Sequence, residues 1–275
     1  MTAMTSEPTM VPSADGTQIA VFVSGRGRPL VVVPGTTSDH TTWSPLAHLF
    51  DDAVSVHAMD RRGRGASGDH PVYTIEKEYA DVAAVVDAAA ATWGRPVDLL
   101  GHSFGGTVAF GAALRTAHIR RLVLYEGWPV PDLAHRTIAP AVMAVLESSL
   151  AEHRPEELLE TLYRDVVHLT DAEIAGVKSS AAWRSRVAAA PTVPRELRAF
   201  SETTFDATLA ARIRVPVLLI VGEVSPADIK ADPDVVVAAL PDARIATLAG
   251  QAHVAHLSDP EGFATVVLSF LTDRA

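Results

Sequence analysis

The chain is 275 residues long, 48% apolar and 20% charged, with 33 acidic residues against 23 Lys and Arg for a formal net charge of −10. That balance supplies a sizeable core and excludes a disordered tail protein. With a pI of about 5.5 and no basic run to follow a phosphate backbone, no nucleic-acid partner is expected. Cysteine is absent, which removes disulfides, thiolate nucleophiles and thiolate metal sites. Residues Met1–Met10 lack the basic start and apolar stretch of a signal peptide. The Ala/Val-rich stretch after Glu78 is broken by Asp81 and Asp87, short of the roughly 18 apolar residues of a membrane span. The expectation is a cytoplasmic protein without a membrane partner.

In chain order, Thr17–Val23 alternates behind Asp15-Gly16 and reads as a half-exposed hairpin strand near a sheet edge. Leu30–Val33 and Val54–Met59 are short β-branched runs without alternation, the pattern of buried parallel strands. A helix over Ile75–Trp93, a strand at Val97–Leu100, a helix over Gly105–Ala117 and a less clean strand at Leu122–Tyr125 follow. From Pro129 to near Ile213 the rhythm changes. Ile138, Val142, Val145 and Leu146 repeat at helical spacing, and so do Leu158, Leu162 and Val166 after the helix start Pro155-Glu156-Glu157. Pro191 and Pro194 break the later part of this stretch. Strands return at Val217–Val221 and Ala243–Leu248, and Pro260–Leu271 reads as a final helix. Alternating strand and helix predict a doubly wound, mostly parallel α/β sheet. The boundaries place the core at residues 1–128 and 206–275, with an inserted helical cap at 129–205 over the ligand-binding edge.

The chemistry concentrates at Gly101-His102-Ser103-Phe104-Gly105-Gly106, which follows a predicted strand and opens a predicted helix. A serine on so sharp a turn needs small neighbours, because a Cβ at the flanking glycines would collide with it. The helix N-terminus then aims N–H groups at any anion formed beside Ser103. Upstream, Pro34-Gly35-Thr36-Thr37 leaves the Leu30–Val33 strand, in a place that resembles the loop where α/β-hydrolases carry their second backbone donor. The two oxyanion donors are assigned to the N–H groups of Thr36 and Phe104.

With these pieces the chain resembles the serine α/β-hydrolase superfamily over nearly its full length. Asp60-Arg61-Arg62-Gly63-Arg64-Gly65-Ala66-Ser67 is similar to the family's structural D-x-R-G-x-G-x-S loop. Pro34 stands where many members carry a histidine. The resemblance implies an α/β-hydrolase fold and a histidine base after the last strand. Gly250-Gln251-Ala252-His253 is similar to that element, so His253 is the expected base, with His256 its near competitor, read as a helix-entry residue, and His102 a structural residue under the turn.

The acid departs from the commoner pattern. Gly222-Glu223-Val224-Ser225-Pro226 puts a serine where most members carry an aspartate after the seventh strand, and a serine cannot stabilise an imidazolium. Glu126, in Tyr125-Glu126-Gly127, stands after the sixth strand and resembles the acid of the branch that includes the zearalenone lactonases. Asp228 is the alternative acid. Trp183 with Thr192-Val193-Pro194 is similar to that branch's cap motif. Trp43, Trp128 and Trp183 are expected to line a mainly apolar substrate site.

The expected function is therefore cleavage of an ester or lactone of a small molecule through Ser103, His253 and Glu126. No metal and no cofactor is expected, since neither zinc-ligand spacing nor a phosphate or dinucleotide loop is present. A small-molecule receptor that keeps the same residues, or a C–C hydrolase or acyltransferase using them, are the alternatives. Either a monomer or a homodimer is compatible with the sequence.

Overall fold

Eight strands form one sheet in the order β1-β2-β4-β3-β5-β6-β7-β8 in the computed structural model, which describes residues 4–50, 54–132 and 137–273. β1 (Thr9–Pro12) and β2 (Gln18–Gly25) are antiparallel, and β2 pairs antiparallel with β4 (Val54–Met59). β3 (Arg28–Val33), β5 (Val97–His102), β6 (Ile119–Tyr125), β7 (Val217–Gly222) and β8 (Ala243–Leu248) carry the sheet on in parallel. Each apolar run read from the sequence lies within one of these strands. β1 was not anticipated, because its four residues are mostly exposed and carry no apolar pattern.

The parallel strands are apolar on both sides because helices cover both faces. On one face α2 (Ile75–Trp93) and α3 (Phe104–Ala113) set Val82, Val86 and Val108 against Val31, Leu99 and Leu124. On the other, α12 (Pro260–Thr272) and the 3₁₀ turn Ser44–Leu49 set Phe263, Val267 and Leu46 against Leu30, Leu100 and Ile220. α2 has the ends that its sequence foretells: Thr74 accepts from Lys77 N–H, and Gly94 closes the helix in the left-handed conformation. α3 ends at Ala113 rather than Ala117. The Thr116 hydroxyl there accepts from His118 N–H (3.1 Å) and bonds Asp87 on α2, turning the chain into β6.

Short α1 (His40–Trp43) follows β3. Between β6 and β7 stand α4 (Pro140–Ala151), α5 (Pro155–Thr161), a π-helical turn at Leu162–Val166, α6 (Asp171–Ser179), α7 (Trp183–Ala189), α8 (Val193–Glu202) and α9 (Ala207–Ala210). These helices have their own apolar centre, built on Leu146, Leu158, Leu162, Ile174, Val193 and Leu197. Val145, expected in that stripe, is instead exposed. A bridge between Val130 and Thr204 closes the base of the insertion. α10 (Pro233–Ala239) and α11 (Ala255–Ser258) complete the chain. Among the described residues no helix is long and apolar enough to cross a membrane.

The Asp60–Ser67 loop is a buried brace. Asp60 accepts from the N–H groups of His40 and Ala66, both at 2.9 Å. Arg61 grips Glu78 through two hydrogen bonds (2.9 and 2.6 Å), and Arg62 grips Asp81 through two of 2.7 Å. Arg64 donates to the carbonyls of Gly35 (3.1 Å) and Ser38 (3.3 Å) and also pairs with Glu196 on α8. One side chain thus ties the loop after β3 to the helical insertion.

Candidate active site

Ser103 sits between β5 and α3 with φ 54° and ψ −131°, a backbone region that L-residues avoid. Close packing holds it there. Gly105 lies so near the carbonyls of Val33 and Pro34, and Gly127 so near the backbone of Ser103, that a Cβ at either place would overlap main-chain atoms. The small-neighbour argument from the sequence therefore extends to Gly127, which lies outside the serine motif. Phe104 opens α3, where helical geometry gives its N–H no intrahelical acceptor. Thr36, on the loop after β3, borders the same cavity as Ser103 and Phe104.

His253 and Glu126 meet behind the serine. Glu126 leaves β6 with φ 43°, which turns its side chain beneath the β8 loop. Its Oε2 accepts from His253 Nδ1 at 2.7 Å, and its Oε1 accepts from Gly222 N–H at 2.7 Å. A proton on Nδ1 leaves Nε2 as the ring's lone-pair nitrogen. Burial pushes the Glu126 carboxyl up, but the bond from His253 and its charge, with the Ser225 hydroxyl and Gly222 N–H, outweigh that and hold it below the usual carboxylate range. Glu126 is thus an anion facing His253.

Two further side chains anchor the His253 loop. His102 Nε2–H donates to the His253 carbonyl at 2.9 Å. The Tyr125 hydroxyl donates to the Ala252 carbonyl and accepts from Ala255 N–H at 2.8 Å. Burial, with His256 and His253 nearby, pushes His102 well below its ordinary value, so it stays neutral. His102 lies under the turn, where the sequence reading put it. His256 is buried and stacked on Trp43, with ring centroids 4.9 Å apart.

A cavity of about 270 Å³ opens over Ser103, Glu126 and His253. Its apolar wall comes mostly from the insertion, through Ile138, Val142, Leu162, Val166, Leu197 and Phe200, with Phe104 and Ile229 added by the rest of the chain. None of Trp43, Trp128 and Trp183 is among its described lining residues, which corrects the expectation that tryptophans bind substrate. Trp128 is buried in the core and donates to the Ala231 carbonyl (2.9 Å). Trp43 packs below the sheet edge with Phe263. Trp183 packs on the apolar centre of the insertion with Lys178 over its ring. Residues of α4, α8, the π turn and the segment before α4 occupy the wall instead.

Asp228 also borders the cavity, yet its Oδ2 meets His168 Nε2 at 3.0 Å and both side chains are more than two-fifths exposed. The hydrogen bond to His253 is made by Glu126 rather than by the alternative acid. Asp39, His40 and Asp60 bring potential metal-ligand atoms within 4.8 Å of one another. Their oxygens already accept from Thr41, His40 and Ala66. The sequence reading missed Tyr163 and Arg186. Tyr163 lies in the π turn, and π turns often mark functional sites. Arg186 is buried within α7, where nothing in the sequence separates it from its exposed neighbour Arg184.

Residues 30–266 match the alpha/beta hydrolase family, and the chain belongs to that family. The structure is similar to that of an alpha/beta hydrolase from Sphaerobacter thermophilus, with a TM-score of 0.82, 32% identity and coverage of 96% of this chain and 100% of that one. Among curated proteins it is 28% identical to N-formylmaleamate deformylase of Pseudomonas putida over 90% of each chain. It is also 30% identical to part of the polyketide synthase ThaQ of Burkholderia thailandensis, a match that covers 98% of this chain but only 13% of that synthase.

Proposed function

We propose that the protein is a serine hydrolase that cleaves a carboxylic ester or lactone of a small molecule. The observation that carries this reading is the buried 2.7 Å contact between His253 Nδ1 and Glu126, made where His253 and the turn-borne Ser103 border one cavity. Ser103 Oγ attacks the carbonyl as His253 Nε2 takes its proton, and Glu126 stabilises the imidazolium that results. The N–H groups of Thr36 and Phe104 hold the oxyanion. His253 then protonates the departing alkoxide and activates the water that releases the acyl group from Ser103. The helical insertion at 129–205 acts as a cap whose aliphatic wall receives the apolar part of the substrate.

The relatives support acyl-transfer chemistry more firmly than any one leaving group. One is named a deformylase, and another, from Neisseria meningitidis and 28% identical over 83% of this chain, a methyl ester esterase. A fluorophosphonate probe tests the nucleophile. One adduct per chain, mapped by peptide mass to Ser103 and lost in Ser103→Ala, is the expected result. An adduct on Ser67 or Ser225, or ester turnover that survives Ser103→Ala, would remove the proposed mechanism.

A further inference from the structure

The Ser103–His253 pair borders a second, smaller space. Beside the apolar cavity, and sharing Ser103 and His253 with it, lies a chamber of about 50 Å³ lined by Arg186, His102 and His256 and, on its apolar side, by Leu169, Val177 and Val254. Arg186 is 6% exposed. Its guanidinium donates only to hydroxyls, Thr37 Oγ1 at 3.3 Å and Thr42 Oγ1 at 3.2 Å. Its Nε is buried with no acceptor at all, and no carboxylate among the described residues pairs with it. Arg61, Arg62 and Arg64, the other arginines around this end of the sheet, each face a carboxylate. A buried cation is costly unless an anion compensates it, and a planar guanidinium with spare N–H groups matches a carboxylate in shape as well as charge.

The neighbours of Arg186 favour an anion that comes from outside the protein. Both ring nitrogens of His256 are buried without partners. A neutral imidazole carries one N–H, so His256 offers a donor to this chamber. The acids near the site lie elsewhere: Asp165 and Asp228 border the outer cavity and not the inner one, which disfavours an anionic group on that side. The Tyr163 hydroxyl, 3.0 Å from Thr37 Oγ1, adds a further polar group beside the guanidinium. Its volume of about 50 Å³ leaves room for a small polar group.

We propose that the inner chamber is an anion subsite in which Arg186 receives a carboxylate of the substrate. The enzyme then acts on esters or lactones that carry a free carboxylate a few bonds from the scissile carbonyl, with their apolar limb in the outer cavity. This assignment rests on the serine-hydrolase reading for its reaction and on Arg186 for its substrate class.

Monobutyl glutarate and butyl pentanoate test it, because both release butanol and differ chiefly in a carboxylate replacing the terminal methyl group. The wild-type protein should favour the acid ester in kcat/KM by ~10²-fold or more. Arg186→Met should bring that ratio down toward about one, and Arg186→Lys should restore part of it. A purely structural Arg186 would slow both esters together and leave the ratio unchanged. In the Ser103→Ala protein, glutarate should raise Tm by about 2–5 °C, while dimethyl glutarate and inorganic phosphate should not. These two measurements need no Arg186 variant, so they remain decisive if Arg186→Met fails to fold. Equal, Ser103-dependent hydrolysis of both esters would overturn the subsite and leave the hydrolase standing. No Ser103-dependent turnover of either ester, with glutarate still stabilising the protein only when Arg186 is present, would uphold the subsite and overturn the hydrolase.

Discussion

The loops that leave β6 and β7 each bring one carboxylate to the same cavity, and they are built in opposite ways. The β6 loop is closed from every side. Glu126 is 4% exposed, with its two oxygens bound to His253 and Gly222 and its own N–H bound to the Ile220 carbonyl. Gly127, next along, presses against the backbone of Ser103. The β7 loop is open: Ser225 occupies its inner position, and Asp228 stands out in solvent against a histidine of the insertion. A catalytic carboxylate needs a fixed distance to imidazole and a site that favours its charged form. For the proposed triad, the comparison teaches that the strand supplying the acid matters less than burial and donors at the loop. Adjacent β6 and β7 both end under His253, and here only the β6 loop supplies both conditions.

The largest effect that could break this comparison is on kcat. Glu126→Gln keeps the shape but removes the charge, and it should lower kcat by ~10³–10⁴-fold, as when a triad acid becomes an amide. Steady-state rates on any ester the wild type accepts, measured with folded protein, decide the matter. A Glu126→Gln enzyme within threefold of wild type would transfer the acid's role elsewhere.

A second effect should appear in stability. Gly127→Ala places a methyl group inside the space of the Ser103 main chain, and rigid backbone on both sides cannot yield without moving the β6 loop or the elbow. Overpacking of this kind costs about 1–3 kcal/mol or more, so the urea midpoint should fall clearly at unchanged m-value. The label from a fluorophosphonate should slow as well, because the shift displaces Ser103. A variant with wild-type stability and labelling would show that the β6 loop is less tightly seated than Glu126 requires.

How much of this could be read beforehand differs between the two loops. The β6 loop was legible through the family resemblance: Ser225 stands where most members carry an aspartate, and Glu126 stands where one branch carries its acid. Ser103 was legible from its glycine-bearing turn between a strand and a helix, whereas His253 was singled out among the histidines by the likeness of Gly250-Gln251-Ala252-His253 to a family element. The wall of the cavity was not. Trp43, Trp128 and Trp183 carry the apolar area that a substrate site needs, yet sequence records size and polarity, not direction. Ile138 and Leu197 face the cavity only because of how the helices of the insertion pack. Arg186 was hidden for a sharper reason. A buried arginine with no carboxylate violates the usual pairing rule, and a violation of that kind shows only when three-dimensional neighbours are known.

The smallest expected effect tests the open loop. Asp228 Oδ2 and His168 Nε2 join the β7 loop to the insertion across the mouth of the cavity, and both side chains are substantially solvated. Exposed pairs of this sort contribute about 0–1 kcal/mol. Asp228→Asn should therefore leave kcat within about threefold, since the base is held by Glu126, and change Tm little. Its effect should fall on KM, because the pair fixes the position of His168 and its neighbour Val167 at the cavity rim; a rise of about two- to fivefold is expected. His168→Ala should do the same, and the double variant should be no worse than either single one if the two residues act only through each other. A dead Asp228→Asn beside a healthy Glu126→Gln would invert the assignment. Losses in kcat from both would mean that the β7 carboxylate swings inward during turnover and shares the imidazolium with Glu126, making the open loop a moving part of the reaction and not merely its doorway.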